Sequence, residues 1–261
     1  VCVYADVGTD AGGRSRLIRR LEELAPSMAV RRVREVNAQQ VLDGVLQSDG
    51  DIGLFVMPGG ADLPYVRSLG SAGVTAIRTF VHGGGAYFGI CAGAYFGSAY
   101  CDFERGTALE VCGPRELAVF SGRAMGSAFG YSYETTEFSR AARISVVPGL
   151  VEAADPQADK AGLRAYMNGG CWFEGAHEEE VLARYEPAAE EEEPRPCYGK
   201  PAIVAGTLGT GRWVLSGPHL ETEPEHLSTS MWHTRLAPDL AATRTARQAL
   251  LSNLLSFLLR R

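Results

Sequence analysis

Gly89-Ile90-Cys91-Ala92-Gly93 follows a short apolar run at 86–90 and precedes a helix-forming stretch, so it sets a thiol between glycines at i−2 and i+2 on a strand-to-helix turn. Such a turn is tight: neighbouring backbone passes close to a residue in strained dihedrals, and a Cβ on either flank would obstruct it. The sulfur is pushed beyond the sheet edge, where a substrate reaches it. The free N–H groups and positive dipole end of the helix favour a thiolate there, and the Ala92 N–H points into the same space as an oxyanion donor. Taken alone, the five residues also fit a small buried thiol in glycine-rich packing.

Outward from this turn, strand-like runs at 1–4, 28–33, 52–57 and 86–90 alternate with helical patterns at 15–24, 38–46 and 63–81, the last broken near Gly70. This alternation predicts a three-layer α/β fold with a mainly parallel central sheet and helices on both faces. The run at 52–57 ends in Pro58-Gly59-Gly60, which reaches the same sheet edge as Cys91, so Gly59 and Gly60 are expected to supply a second oxyanion donor. The later half turns to short strands at 118–124, 143–147, 163–167, 181–185, 202–207 and 213–216, closed by a helix at 238–259. They are read as further strands of the same sheet plus an added antiparallel subsheet, with hairpin turns such as Leu208-Gly209-Thr210-Gly211. The glycines at 206–211 precede a strand, not a helix, which favours a hairpin over a phosphate loop. An acidic run at 190–193 between prolines reads as a solvated loop, so residues 1–261 are expected to form one domain.

A thiol nucleophile needs a base, and Leu215-Ser216-Gly217-Pro218-His219-Leu220-Glu221 supplies one at the end of a strand-like run. On an extended chain His219 and Glu221 share a side, so the carboxylate can orient the imidazole. His82, His177, His226 and His233 lie in turn-like or polar surroundings and are read as surface residues; none has zinc-type spacing, so no metal is expected.

The net charge of −6 and pI near 5.5 leave no basic field for nucleic acid or anionic membranes. A small-molecule substrate or ligand is expected, with a protein partner as the other class, and no cofactor. Six scattered cysteines, no apolar run of about 18 residues and a strand-like opening without a signal-peptide pattern predict a reducing, cytoplasmic setting.

Five ordered blocks carry a resemblance: Met57-Pro58-Gly59-Gly60-Ala61-Asp62-Leu63-Pro64-Tyr65, Gly89 to Tyr95, Gly106-Thr107-Ala108-Leu109-Glu110-Val111, Tyr166-Met167-Asn168-Gly169-Gly170, and Ser216 to Glu221. Together they resemble the amino-terminal domain of eukaryotic biotin-protein ligases, whose fold is class I glutamine amidotransferase-like, that is, flavodoxin-like. The resemblance implies Cys91 as nucleophile, His219 as base and Glu221 as orienting acid. It departs from the commoner Pro-His-Pro-Glu form at Leu220. The matching blocks also offer Asp62, Tyr65, Tyr166, Asn168 and Gly169 as substrate-binding candidates. Asp62 equally suits a helix N-cap, and Asn168-Gly169 a turn. Biotin ligation requires a Gly-Arg-Gly-type adenylate loop that residues 1–261 lack, so this stretch is not itself expected to ligate biotin. The expected function is a cysteine-dependent amide or ester hydrolase, and the alternative is a non-catalytic ligand-binding or regulatory domain.

Overall fold

The computed structural model describes residues 1–28, 30–48, 50–132, 135–150, 162–187 and 194–260; the acidic run at 190–193 lies outside them. Strands β1 (Cys2–Tyr4), β3 (Leu54–Met57) and β4 (Ala86–Ile90) are buried on both faces, and β2 (Arg34–Val36) forms the edge beside β1. Because side chains alternate along a strand, their apolar residues divide into two cores. Val3, Leu54, Val56 and Ile90 face α1 (Ala11–Leu24) and the last helix, α7 (Arg244–Leu259). Cys2, Tyr4, Phe55 and Met57 face α2 (Ala38–Leu42), α3 (Val45–Ser48) and α4 (Asp62–His82), with α5 (Ala92–Gly97) beside them.

The central sheet runs β2-β1-β3-β4-β13, all parallel, and continues with antiparallel β12, β11, β8 and β9. These later strands are β8 (Arg140–Val146), β9 (Leu163–Met167), β11 (Val181–Glu186), β12 (Pro201–Leu208) and β13 (Gly211–Ser216). The expected parallel half and antiparallel extension are both present.

A second sheet, ordered β10-β7-β5-β6, stands where an added antiparallel subsheet was expected, but only its strand near 118–124 was read from sequence, and one of its pairs, β5 with β7, is parallel. Its strands are β5 (Ser98–Phe103), β6 (Val111–Pro114), β7 (Phe120–Gly126) and β10 (Trp172–Glu174). β5 leaves α5 without a connecting turn. Aromatic packing seats this sheet on the first: Phe120 meets Phe173 edge-on at 5.7 Å and the Trp213 ring at 5.9 Å.

Three boundaries differ from expectation. The strand sought at 28–33 forms instead at Arg34–Val36, where the register pairs Arg34 with Cys2, and Ala25–Met28 is a single 3₁₀ turn. The helix sought at 38–46 divides at Gly44, whose φ of +84° ends α2 before α3 begins. The closing helix is two: α6 (Met231–Ala242), capped by Ser230 accepting from the His233 N–H, and α7, separated at Thr243. Pro238, taken as a helix start, lies inside α6. The break near Gly70 occurs as read, with φ 53° and ψ −175° inside α4.

Glu223 ties α7 to the segment that follows β13. It is buried and accepts from Arg247 at 2.6 Å and Gln248 at 3.1 Å, with Arg244 at 3.3 Å. Arg247 is wholly buried, and burial pushes its guanidinium pKa down despite that partner. Glu223→Ala therefore strands a buried cation and is expected to cost about 3–5 kcal/mol in urea unfolding. Glu225→Ala, at the exposed pair with Arg244, should cost under about 1 kcal/mol.

Candidate functional site

Cys91 stands between β4 and α5 with φ 52° and ψ −108°, a conformation that side chains rarely adopt. Contacts on three sides impose it. Its N–H donates to the Ser216 carbonyl of β13 at 2.8 Å, its carbonyl accepts from Ala94 and Tyr95, and the Gly93 N–H donates to Pro58 O at 3.2 Å. The flanking glycines are needed for the reason given from sequence. A Cβ on Gly89 would lie 2.4 Å from Gly93 O, and one on Gly93 would lie 2.0 Å from Met57 O.

The turn after β3 comes up beside the thiol. A Cβ on Gly59 would stand 2.7 Å from His219 Cε1 and 3.6 Å from the Cys91 Cβ, so all three residues converge on one spot. Gly60, at φ +145°, is pressed against Gly8 O, and the loops after β1 and β3 are joined by Ala61 N–H to Gly8 O at 2.8 Å and Asp10 N–H to Gly59 O at 3.1 Å. Ala92 begins α5, so its N–H belongs to the first turn, where helix donors have no partner within the helix.

His219 arrives from the end of β13 and is fixed by its N–H donating to Tyr166 O at 2.8 Å. Its Nδ1 lies 2.7 Å from Glu221 Oε1. Leu220 between them points into the core, so the departure at this position leaves the pair intact. Burial opposes a charged imidazole, yet the Glu221 carboxylate and hydrogen bonds to Cys91 and Glu221 outweigh it, and the His219 pKa stands well above the ordinary range. The second oxygen, Glu221 Oε2, is buried without a partner among the described residues.

These groups open on a cavity of about 510 Å³ at the carboxyl edge of the parallel strands, the position where open α/β sheets hold ligands. Cys91, His219, Glu221, Gly59, Gly60 and Ala92 all line it, as do Asp62, Tyr166, Asn168 and Gly169. Asn168 offers its carbonyl to the Cys91 thiol at 3.7 Å, and its side-chain Oδ1 is buried with no partner among the described residues. Gly169 has φ +73° and its carbonyl accepts from Tyr95 OH at 3.1 Å, so the turn reading of this pair holds beside the pocket reading.

Two candidates have other surroundings than expected. Tyr65 is fully buried behind the Gly59-Gly60 turn, outside the cavity wall, and its hydroxyl donates to Gly59 O at 3.0 Å. Asp62 caps nothing: the N-cap is Ala61, and the Asp62 carboxylate accepts from Arg115 at 2.7 Å in a pair exposed by less than a tenth. His233, read as a surface residue, is buried against Tyr166 OH and Ser139 at 3.2 and 3.4 Å, and burial followed by Arg16 pushes its pKa down. The lining residues Asp10, Arg16, Arg67, Phe103 and Tyr131 were not read from sequence. Asp10 carried a usable signal, since Asp before Ala-Gly-Gly suits the N-cap it forms. Among the described residues no cluster could hold a metal ion, and no helix is long and apolar enough to cross a membrane.

A family profile described as Biotin-protein ligase, N terminal, matches residues 1–259. The chain belongs to that family. Within it, a biotin–protein ligase of Schizosaccharomyces pombe is 37% identical over 177 residues, which is 66% of this chain and 26% of the ligase. The chain thus spans about a quarter of that relative's length. An uncharacterized protein of Chlamydia muridarum is 34% identical across 98% of this chain and 95% of its own. Among solved structures, a ThuA-like protein of Bacteroides uniformis aligns at TM-score 0.53 and 9% identity, covering 98% of this chain and 89% of that one. A glutamine amidotransferase of Thermotoga maritima aligns at 0.51 and 11% identity, covering 100% and 99%. These likenesses are of fold, and they agree with the amidotransferase-like, flavodoxin-like architecture expected for this biotin-protein ligase N-terminal family member.

Proposed function

We propose that this chain is a cysteine-dependent amide or ester hydrolase of amidotransferase type, acting on a small molecule. The observation that carries the reading is Cys91 held at positive φ on the cavity floor, with the His219–Glu221 pair at 2.7 Å opening on the same space. Cys91 Sγ attacks the carbonyl carbon, and the resulting oxyanion takes hydrogen bonds from the N–H groups of Gly59, Gly60 and Ala92. His219 passes a proton to the leaving nitrogen or oxygen as that bond breaks, leaving a thioester. Water, giving a proton to His219, then attacks the thioester; the acid leaves and the thiol is restored. Glu221 holds the imidazole in orientation throughout.

Alkylation by iodoacetamide near pH 6 tests the nucleophile. Cys2, Cys101, Cys171 and Cys197 are buried, so Cys112 is the informative control: it is more exposed than Cys91. Burial and then the Asp102 hydrogen bond push the Cys112 pKa up. Cys91 is expected to react roughly tenfold faster than Cys112, despite its lower exposure. A slower Cys91 would overturn the activated-thiol reading.

A second reading, a ligand-binding or regulatory domain, draws on the S. pombe relative, in which the matching region is part of a longer ligase. Thermal-shift screening of wild type and Cys91→Ser, beginning with biotin and biotinyl amides, separates the two. Stabilisation without turnover by wild type favours binding. Turnover lost in Cys91→Ser favours hydrolysis.

A further inference from the structure

We propose that His233 is a positioning residue for His219, acting through Tyr166: a neutral His233 imidazole anchors the Tyr166 hydroxyl and so fixes the ring that packs against the His219 imidazole. The consequence for Cys91 rests on the hydrolase reading; the consequence for His219 does not.

Tyr166 stands between two histidines. Its ring centroid lies 5.8 Å from that of His219 and 5.7 Å from that of His233. Toward the cavity, which Tyr166 lines, its carbonyl accepts the His219 N–H at 2.8 Å in an isolated bridge. The Tyr166 backbone is already held by β8, where Ala141 lies opposite it. The ring is held at its far end instead. Its hydroxyl lies 3.2 Å from His233 Nε2 and 3.2 Å from Ser139 Oγ. Tyr166, Ser139 and His233 are all buried, so removing one leaves a buried polar atom to be satisfied by movement of the others.

The proton positions follow from which groups can only donate. The Ser228 N–H meets His233 Nδ1 at 3.1 Å, and Ser228 Oγ lies 2.7 Å from the same nitrogen. Nδ1 therefore carries the lone pair, and the imidazole proton sits on Nε2. From there His233 donates to the Tyr166 hydroxyl, which in turn donates to Ser139 Oγ. Burial and then the charge of Arg16 on α1 oppose protonation of His233, in agreement with that neutral form. Tyr166 thus separates an imidazole held charged by Glu221 from one held neutral. The Ser228 contact also ties down the segment that leaves Glu221, because His233 lies in the first turn of α6, capped by Ser230. None of this network takes part in the chemistry assigned to Cys91, His219 and Glu221.

The test uses the full chain with Tyr166→Phe, His233→Leu, His233→Gln and the Tyr166→Phe/His233→Leu double variant. Tyr166→Phe keeps the ring and removes only the anchored hydroxyl. In Tyr166→Phe and His233→Leu the NMR titration of the His219 ring is expected to move to lower pH, because a loosened ring admits water to the His219–Glu221 pair. Iodoacetamide alkylation of Cys91 near pH 6 should slow roughly fivefold in each. The double variant should be no slower than either single one, since both remove the same link. His233→Gln, whose amide N–H can donate to the hydroxyl in place of Nε2–H, should stay within about twofold of wild type in rate and keep the His219 titration. An unchanged His219 titration in Tyr166→Phe would overturn the proposal, even if His233→Leu fails to fold. So would additive effects in the double variant, or a His233→Gln no better than His233→Leu. A wild-type Cys91 that alkylates slowly, with the His219 titration still moved by Tyr166→Phe, counts against the hydrolase reading alone.

Discussion

Gly93→Ala is expected to destabilise the protein by at least about 3 kcal/mol, and to leave little folded material at moderate urea. The new Cβ would lie 2.0 Å from Met57 O and 2.7 Å from Met57 C. Neither atom belongs to a flexible side chain, so relief requires β3 and α5 to separate at the point where Pro58 O receives the Gly93 N–H. A matched control is Gly50→Ala, where nothing lies within 4 Å and a change inside about 0.5 kcal/mol is expected. Urea midpoints of the two variants decide the matter; similar midpoints would remove the tight elbow from the account of the fold.

The second large effect is a pH-dependent one at Glu221. Burial, the first influence on His219, works against its charge, but Glu221 and the Cys91 contact raise its folded pKa well above the unfolded value. A raised basic group contributes stability that is fully present below its unfolded pKa, about 6.5, and that disappears as pH rises through the folded value. Wild type is therefore expected to exceed Glu221→Gln by about 1–3 kcal/mol near pH 6. The gap should close as the imidazole deprotonates, because wild type then keeps a buried carboxylate whose Oε2 lacks a partner among the described residues. Tm measured for both proteins across the pH range reads this directly, and NMR titration of the His219 ring should show its pKa lower in the variant. A gap independent of pH would mean that the imidazole is not held charged by Glu221.

Most of the parallel core was legible because β1, β3 and β4 are short, apolar and followed by a glycine-rich turn or a helical repeat. Gly59-Gly60 and the glycines around Cys91 could be interpreted physically before any coordinates, since few residues other than glycine permit such close approaches. A second sheet was expected, but three of its four strands were not legible. β5 follows α5 without turn residues, and β6 is Val-Cys-Gly-Pro, three half-exposed residues and an exposed proline, with no alternation to detect. β2 was misplaced because apolar content favoured residues 28–33, whereas pairing with β1 and the Asn37 cap of α2 select Arg34–Val36.

The pairing of His219 with Glu221 was legible from their two-residue spacing just beyond a strand, although β13 ends at Ser216 and the pair stands on bends with one isolated bridge at His219. Tyr65 was misjudged because adjacency to the Gly59-Gly60 turn in sequence does not say which side of that turn a ring occupies; here it packs edge-on against Tyr4 at 5.4 Å in the core. His233 was misjudged because its burial comes from β9 and β8, brought over it by α6, and polar neighbours in sequence say nothing of that. Arg67 carried no local pattern at all.

The hydrogen bond from Cys91 N–H to Ser216 O also bears on the order in which the protein is made. On a chain growing from its amino end, β4 and α5 emerge long before β13. The elbow lacks its brace on that side, and His219 and Glu221 are absent, until that last strand of the central sheet leaves the ribosome and docks beside β4. Until that docking, Cys91, His219 and Glu221 do not stand together, so their constellation depends on pairing between strands far apart in the sequence.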